Sequence, residues 1–200
     1  MFEVSSPLGD VTAPLGPSHS FPQAAADPRI AMVRSFRGAR PAVAPGAYIH
    51  PSAVLIGDVS VGAQSSVWCN VTVRADTSKV TIGEDTSIQD NSCLHEDADA
   101  PLTIGDRVVV GHSCTVHGCV VEDDCLIGMG ATILSKARIG AGSIVAAGAV
   151  VLGGTVVPPR SLAAGVPAKV KRSVSDEELE RTRTNAEHYV ELSREYLDET

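Results

Sequence analysis

Three histidines carry the first chemical signal in this 200-residue chain. His112 and His117 lie five apart in "GHSCTVHGCV", with Cys114 between them and Cys119 just beyond, and His95 stands upstream in "SIQDNSCLH". Imidazole and thiolate are common zinc ligands. Three imidazoles with an open fourth position are what a catalytic zinc requires, because a water must stay exchangeable while its pKa falls toward about 7. The same side chains could instead pair a nucleophile with a base, or fill a core. The elements that position them decide between these readings.

Those elements have a period of six. Aliphatic residues recur at Val43, Ile49, Leu55, Val61, Val67 and Val73, then at Ile82, Ile88 and Leu94, then at Ile104, Val110 and Val116, and finally at Val121, Ile127, Ile133, Ile139, Val145 and Val151. Four positions after most of them sits a small residue, as in "IGEDTS" and "IGAGSI". Neither the helical period nor strand alternation gives this pattern. A parallel β-helix does: three short strands form one triangular coil, the aliphatic residue points inward, and the small one lets the chain turn. The same turns explain the glycines of "IGMGA", which do not form a phosphate cradle. Three spacings break the period: Val73 to Ile82, Leu94 to Ile104, and Val116 to Val121. The first two predict inserted turns around "DTSK" and "EDADAP", and such departures from a repeat often border a binding face.

The register places the histidines. His95 follows inward Leu94 and His117 follows inward Val116, so with the insertion removed the two rings stack one coil apart, about 4.8 Å along the axis. Arg74, after Val73, falls on the same face one coil earlier. His112 lies on another side of the prism, from which it does not easily reach the same point within one chain. Three chains around an axis would complete a three-nitrogen site; the alternative is a set of unrelated surface or interface histidines.

Together, "TVRADTSKVTIG", "SIQDNSCLH" and "GHSCTVHGCVVEDDCLIGMGA" resemble the signature of the γ-class carbonic anhydrase family, over about residues 43 to 172 and ending in "GVPAKVKR". The resemblance implies an all-β fold, a left-handed parallel β-helix of hexapeptide repeats with a C-terminal α-helix, assembled as a homotrimer. It implies His95, His112 and His117 as ligands of Zn2+, with Fe2+ or Co2+ as alternatives, two from one chain and one from its neighbour. It gives Arg74 and Asp76 a salt bridge that supports assembly, and places Gln89 and Asp90 beside the metal-bound water. These four are the expected catalytic residues, and the implied reaction is hydration of carbon dioxide to bicarbonate by a metal-bound hydroxide. Two departures stand out. The family's Arg-Gly-Asp is Arg-Ala-Asp here, with Ala75 in the middle. The loop after His95, "EDADAPLTIG", is short where the archetypal member has a long acidic loop that shuttles protons, which leaves Glu96 or Asp97 as substitutes.

Composition narrows the remaining classes. Aromatic residues make up only 4%, so Gly, Ala and Val fill thin, closely stacked layers. A net charge of -8 without a basic stripe argues against nucleic acid. No apolar run is long enough to span a bilayer, and the start "MFEVSSPLGD" lacks a leader pattern, so no membrane role and a cytoplasmic location are expected. Five cysteines, an odd number, suggest free thiols.

Three segments follow. Residues 1–40, rich in Pro, Ala, Gly and Ser, read as an extended or poorly ordered N-terminal arm, or one packed on a neighbour. Residues 41–172 form the metal-binding β-helix. Residues 173–200 read as a helix packed on the β-helix or an adjoining subunit, opened by a capping box from Ser175 and Glu178, with Leu179, Ala186, Tyr189, Val190 and Tyr196 near one stripe. Besides carbon dioxide hydration, the scaffold admits an acyl-CoA-related thioesterase or acyltransferase, or a non-catalytic metal-stabilised assembly protein.

Overall fold

The hexads wind a left-handed parallel β-helix with three faces, closed by a single C-terminal helix among the described residues, in a computed structural model that describes residues 32–199. On the first face Leu55, Val73, Leu94, Val116, Ile133 and Val151 stack in parallel register. On the second, Val61, Ile82, Ile104, Val121, Ile139 and Val157 do so. The third carries Ile49, Val67, Ile88, Val110, Ile127 and Val145. From Leu55 to Val151 every aliphatic hexad position is at most 3% exposed. Each such side chain contributes about 1.5–3 kcal/mol of burial, so the axis of the prism is the core. Val43 departs from the pattern and is exposed, because it heads the first coil and has a neighbour on one side only.

In several hexads the small residue has a second task. Its backbone sits at a corner where carbonyls lose their ladder partners, and a buried hydroxyl replaces them: Ser65 Oγ donates to the Gly83 carbonyl at 2.6 Å, Ser92 Oγ to Gly111 at 3.0 Å and Ser143 Oγ to Pro158 at 2.9 Å. Cys114 and Cys125 occupy the same position and point their thiols at the Gly128 and Gly140 carbonyls.

Two strands are longer than the pattern allows. Val54–Val61 and Thr72–Ile82 run past a corner without breaking and join the first two faces into one sheet. "DTSK" is therefore not an inserted turn. Val80–Ile82 has ladder partners on both sides, so extended backbone saves those hydrogen bonds, and a register slip between Gly57 and Val59 absorbs the extra residues. Gly57 is needed there: its φ is +82°, and a Cβ would stand 1.9 Å from the Ala75 carbonyl oxygen. Ala75 is buried within the strand and not in the left-handed region, so its methyl is tolerated. "EDADAP" does fold as a turn, closed by reciprocal backbone bonds between Asp97 and Ala100.

The helix, Asp176–Asp198, opens with the expected capping box: Ser175 Oγ accepts from the Glu178 amide, and the Glu178 carboxylate accepts from the Ser175 amide. It lies on the third face, against Tyr48–Ile49, Ser66–Val67, Ser87–Ile88 and Val109–Val110. Trp68, which donates its indole proton to Ser87 Oγ, meets the rings of Tyr48, Tyr189 and Tyr196. Asp124 fastens the helix to the coils, accepting from Arg107 Nε at 2.7 Å and Arg183 Nη2 at 2.9 Å. Of the N-terminal arm, residues 1–31 lie outside the described residues; Met32–Arg34 pairs in parallel with Val54–Ile56. Among the described residues no helix is long and apolar enough to cross a membrane.

Candidate metal centre

His95 and His117 are register partners on the first face, their ring centroids 5.2 Å apart and their planes at 82°. His95 Nδ1 lies 2.6 Å from the Arg74 carbonyl oxygen, which can only accept, so Nδ1 carries the proton and Nε2 keeps its lone pair. His117 Nδ1 lies 2.9 Å from Ser135 Oγ. That hydroxyl gives its own proton to Asp97 Oδ2 at 2.6 Å and therefore accepts from the ring, again leaving Nε2 as the base.

His112 is held by a separate column. Left-handed turns at Asn70, Asn91, Ser113 and Gly130 stack coil on coil, and the residues before them, Cys69, Asp90, His112 and Met129, follow the same ladder. Asp90 is thus directly beneath His112, and its Oδ2 lies 2.9 Å from Nδ1; a carboxylate oxygen only accepts, which favours the proton on that nitrogen. All three imidazoles are anchored through Nδ1 and present Nε2, the arrangement that outer partners impose on metal-binding histidines.

The acidic residues divide into different roles. Arg74 Nη1 donates to Asp76 Oδ2 at 2.6 Å, and that hydrogen bond holds the Asp76 carboxyl below the usual carboxylate range. Asp76 Oδ1 is buried, has no hydrogen-bond partner, and lies 3.9 Å from His95 Nε2. Glu96 is sealed beneath the surface, its two oxygens taken by the Thr77 amide and hydroxyl. Burial alone would raise the Glu96 carboxyl, but these bonds outweigh it and hold it below its ordinary value. Asp76, His95 and Glu96 have donor atoms within 4.8 Å of one another. That trio is not the expected histidine set, and it would draw on a Glu96 that is fully buried with both oxygens already hydrogen-bonded to Thr77. Nor does Glu96 suit a proton shuttle, and Asp97 is engaged by Ser135.

Gln89 is 4% exposed and lines a cleft of about 380 Å³ between the third face and the helix, with Met129, Asn185 and Tyr189. The cysteines between and just beyond the histidines are core filling. Cys114 bonds to a corner carbonyl, and burial pushes the Cys119 thiol up to about 12, so it stays protonated and is neither ligand nor nucleophile. Within one chain the three histidines do not form a group of donors within 4.8 Å among the described residues. His95 with His117 stands at one end of the first face, and His112 at the corner that begins it.

Six repeats of the bacterial transferase hexapeptide type match residues 118–153. The chain is 41% identical over 165 residues to a carbonic anhydrase of Geobacillus kaustophilus, covering 82% of this chain and 91% of that one. The chain belongs to the γ-class carbonic anhydrase-like family. It is also 38% identical over 171 residues to gamma carbonic anhydrase 2, mitochondrial, of Arabidopsis thaliana, with 80% of this chain matched but only 59% of that longer protein. A solved hexapeptide transferase family protein from Anaplasma phagocytophilum superposes with a TM-score of 0.80 at 36% identity, over 82% of this chain and 98% of that one. Motif reading missed Ser135, and it named Asp97 only as a substitute proton shuttle, not as the partner of Ser135. Ser135 sits in "ILSKA" as an ordinary corner residue, and only the fold of the "EDADAP" turn brings Asp97 to it.

Proposed function

We propose that the chain is a metal-dependent carbonic anhydrase, reversibly hydrating carbon dioxide at the interfaces of a cytoplasmic homotrimer. The observation that carries this reading is the trio of histidines anchored through Nδ1, two stacked on one face and the third at the opposite end of it. In this reading residues 41–172 are the metal-binding body. His95 and His117 of one protomer and His112 of the next hold Zn2+, with Fe2+ or Co2+ as alternatives. The donor set suits these ions: neutral imidazole nitrogens, fixed in tautomer, with room for an exchangeable ligand. When bound, the metal supplies the Lewis acidity that makes water a nucleophile near neutral pH.

The chain's own residues do the rest. Asp90 keeps His112 in its coordinating tautomer. Gln89, buried one residue earlier, offers an amide to orient the attacking water or the substrate. The Arg74–Asp76 pair flanks His95, and Asp76 Oδ1, buried and without a hydrogen-bond partner, lies 3.9 Å from His95 Nε2 and favours a positive charge beside it. With Glu96 sealed and Asp97 engaged, each released proton leaves through water to buffer. The five free cysteines suit a reducing compartment.

The test is stopped-flow carbon dioxide hydration by Zn-loaded and anaerobically Fe-loaded protein. Activity should rise with buffer concentration and vanish in His117→Ala. A fully metallated trimer with no hydration above that variant would refute the reading. The likeness to a hexapeptide transferase family protein favours a second one, acyl transfer or thioester hydrolysis, which thiol release from acyl-CoA would reveal. Metal-dependent stability without either activity would favour an assembly role.

A further inference from the structure

We infer that Ser135 and Asp97 are positioning residues for His117, and that the short acidic turn after His95 serves as a brace for the ligand, not as a proton relay. The inference rests on the reading of His117 as a metal ligand. Three observations support it. First, His117 Nδ1, Ser135 Oγ and Asp97 Oδ2 form a directed chain, 2.9 Å and then 2.6 Å, in which each group has one role: the ring donates, the hydroxyl accepts and donates, the carboxylate accepts. Ring nitrogen and carboxylate are themselves 3.7 Å apart, so the hydroxyl is the necessary link.

Second, the turn is tied down over the neighbouring coils. Asp97 reaches Ser135 across 38 positions of sequence, and Asp99 accepts from Lys136 Nζ at 2.7 Å across 37. The backbone joins the same points: the Gly118 amide bonds the His95 carbonyl and the Lys136 amide bonds the Gly118 carbonyl. The exposed Asp99–Lys136 pair adds little stability, so its value is in holding the turn where Asp97 meets Ser135. Third, the other two histidines are anchored differently, His95 by a backbone carbonyl and His112 by a carboxylate directly. His117 alone of the three depends on a hydroxyl, which can rotate and so specifies a tautomer only when a second acceptor takes its proton. Asp97 is that acceptor.

Chelator competition with Zn2+ and Co2+ on the full trimeric protein tests this, together with 15N NMR of the metal-free histidines. Ser135→Ala should weaken metal binding by about 10–100-fold, the cost typical of losing an outer partner of a ligating histidine. It should also let the His117 ring populate both tautomers, while far-ultraviolet circular dichroism stays unchanged. Ser135→Thr, which keeps the hydroxyl, should restore both readouts, and Asp97→Ala should weaken binding in the same direction as Ser135→Ala. Wild-type affinity and a single tautomer in Ser135→Ala, with metal lost in His117→Ala, would overturn the brace and leave the ligand assignment standing. Wild-type affinity in His117→Ala would overturn both.

Discussion

Mixing defective chains gives the sharpest test of a shared site. His112 and His117 stand at opposite ends of the first-face strand. Extended chain advances about 3.3 Å per residue, so five residues span at most roughly 16 Å, and with the turn at residues 112–113 the two rings are still on the order of 10 Å apart, whereas two nitrogens about 2 Å from one zinc are no more than about 4 Å apart. One chain therefore cannot close the site, and His95→Ala and His112→Ala damage opposite contributions. Consider equal amounts of the two variants, unfolded together and reassembled. A site is intact only where a protomer with His95 and His117 faces one with His112. Random assortment around a cyclic trimer makes this one-half times one-half, so about one quarter of the sites should bind metal, against none in either variant alone. Metal per trimer measured by inductively coupled plasma mass spectrometry, with native mass spectrometry to confirm that chains mixed, reads this directly. Mixed trimers with no more metal than the separate variants would refute the geometry.

Four further outcomes follow. Leu94→Ala, at a fully buried hexad position, should cost about 2–5 kcal/mol in chemical denaturation, because the stacked neighbours cannot collapse into the gap. Gly57→Ala should lose at least as much, since its Cβ meets the Ala75 backbone and its φ is left-handed; near wild-type stability would show that the corner gives way. Asp124→Asn keeps a residue that tolerates a left-handed turn but removes the charge shared by Arg107 and Arg183, so a loss of about 1–2 kcal/mol is expected, the half-exposed arginines limiting it. Glu178 is held down to about 2 by Arg172 and by the Ser175 backbone, so its contribution is fully present above the unfolded value near 4.3 and fades as pH falls through about 2. The acid limb of a helix-docking titration followed by Trp68 fluorescence should therefore move in Glu178→Gln.

Most of this architecture was legible because inward residues repeat at a fixed interval. One count along the chain fixed the three faces, the stacking of His95 on His117 and the separate corner of His112. Ser175 and Glu178 marked the helix start for a similarly local reason. What escaped depends on contacts that no interval encodes. "DTSK" looked like a turn, but the strand runs through it unbroken, because Val80–Ile82 just beyond it pairs on both sides and a register slip takes up the extra residues. Thr182 and Ser193 are buried in the helix stripe despite being polar, because each satisfies its hydroxyl with a carbonyl of its own helix. Ser135 and Asp97 meet only after a turn folds across neighbouring coils. His95 and His117 stack in the register that counting gave them, while Ser135, which fixes the His117 tautomer, became visible only in three dimensions.

The ladder of coils also acts as a ruler. The step between His95 and His117 is one hydrogen-bonded rung, and no side-chain substitution can lengthen it by a fraction. On the proposed reading, ligand spacing on this face is thus quantised by the backbone, while the distance to His112 would be set by how protomers pack. Such a protein can retune its chemistry by shifting the packing or the braces without disturbing the pair, and it can lose or gain terminal coils without altering the ruler's unit.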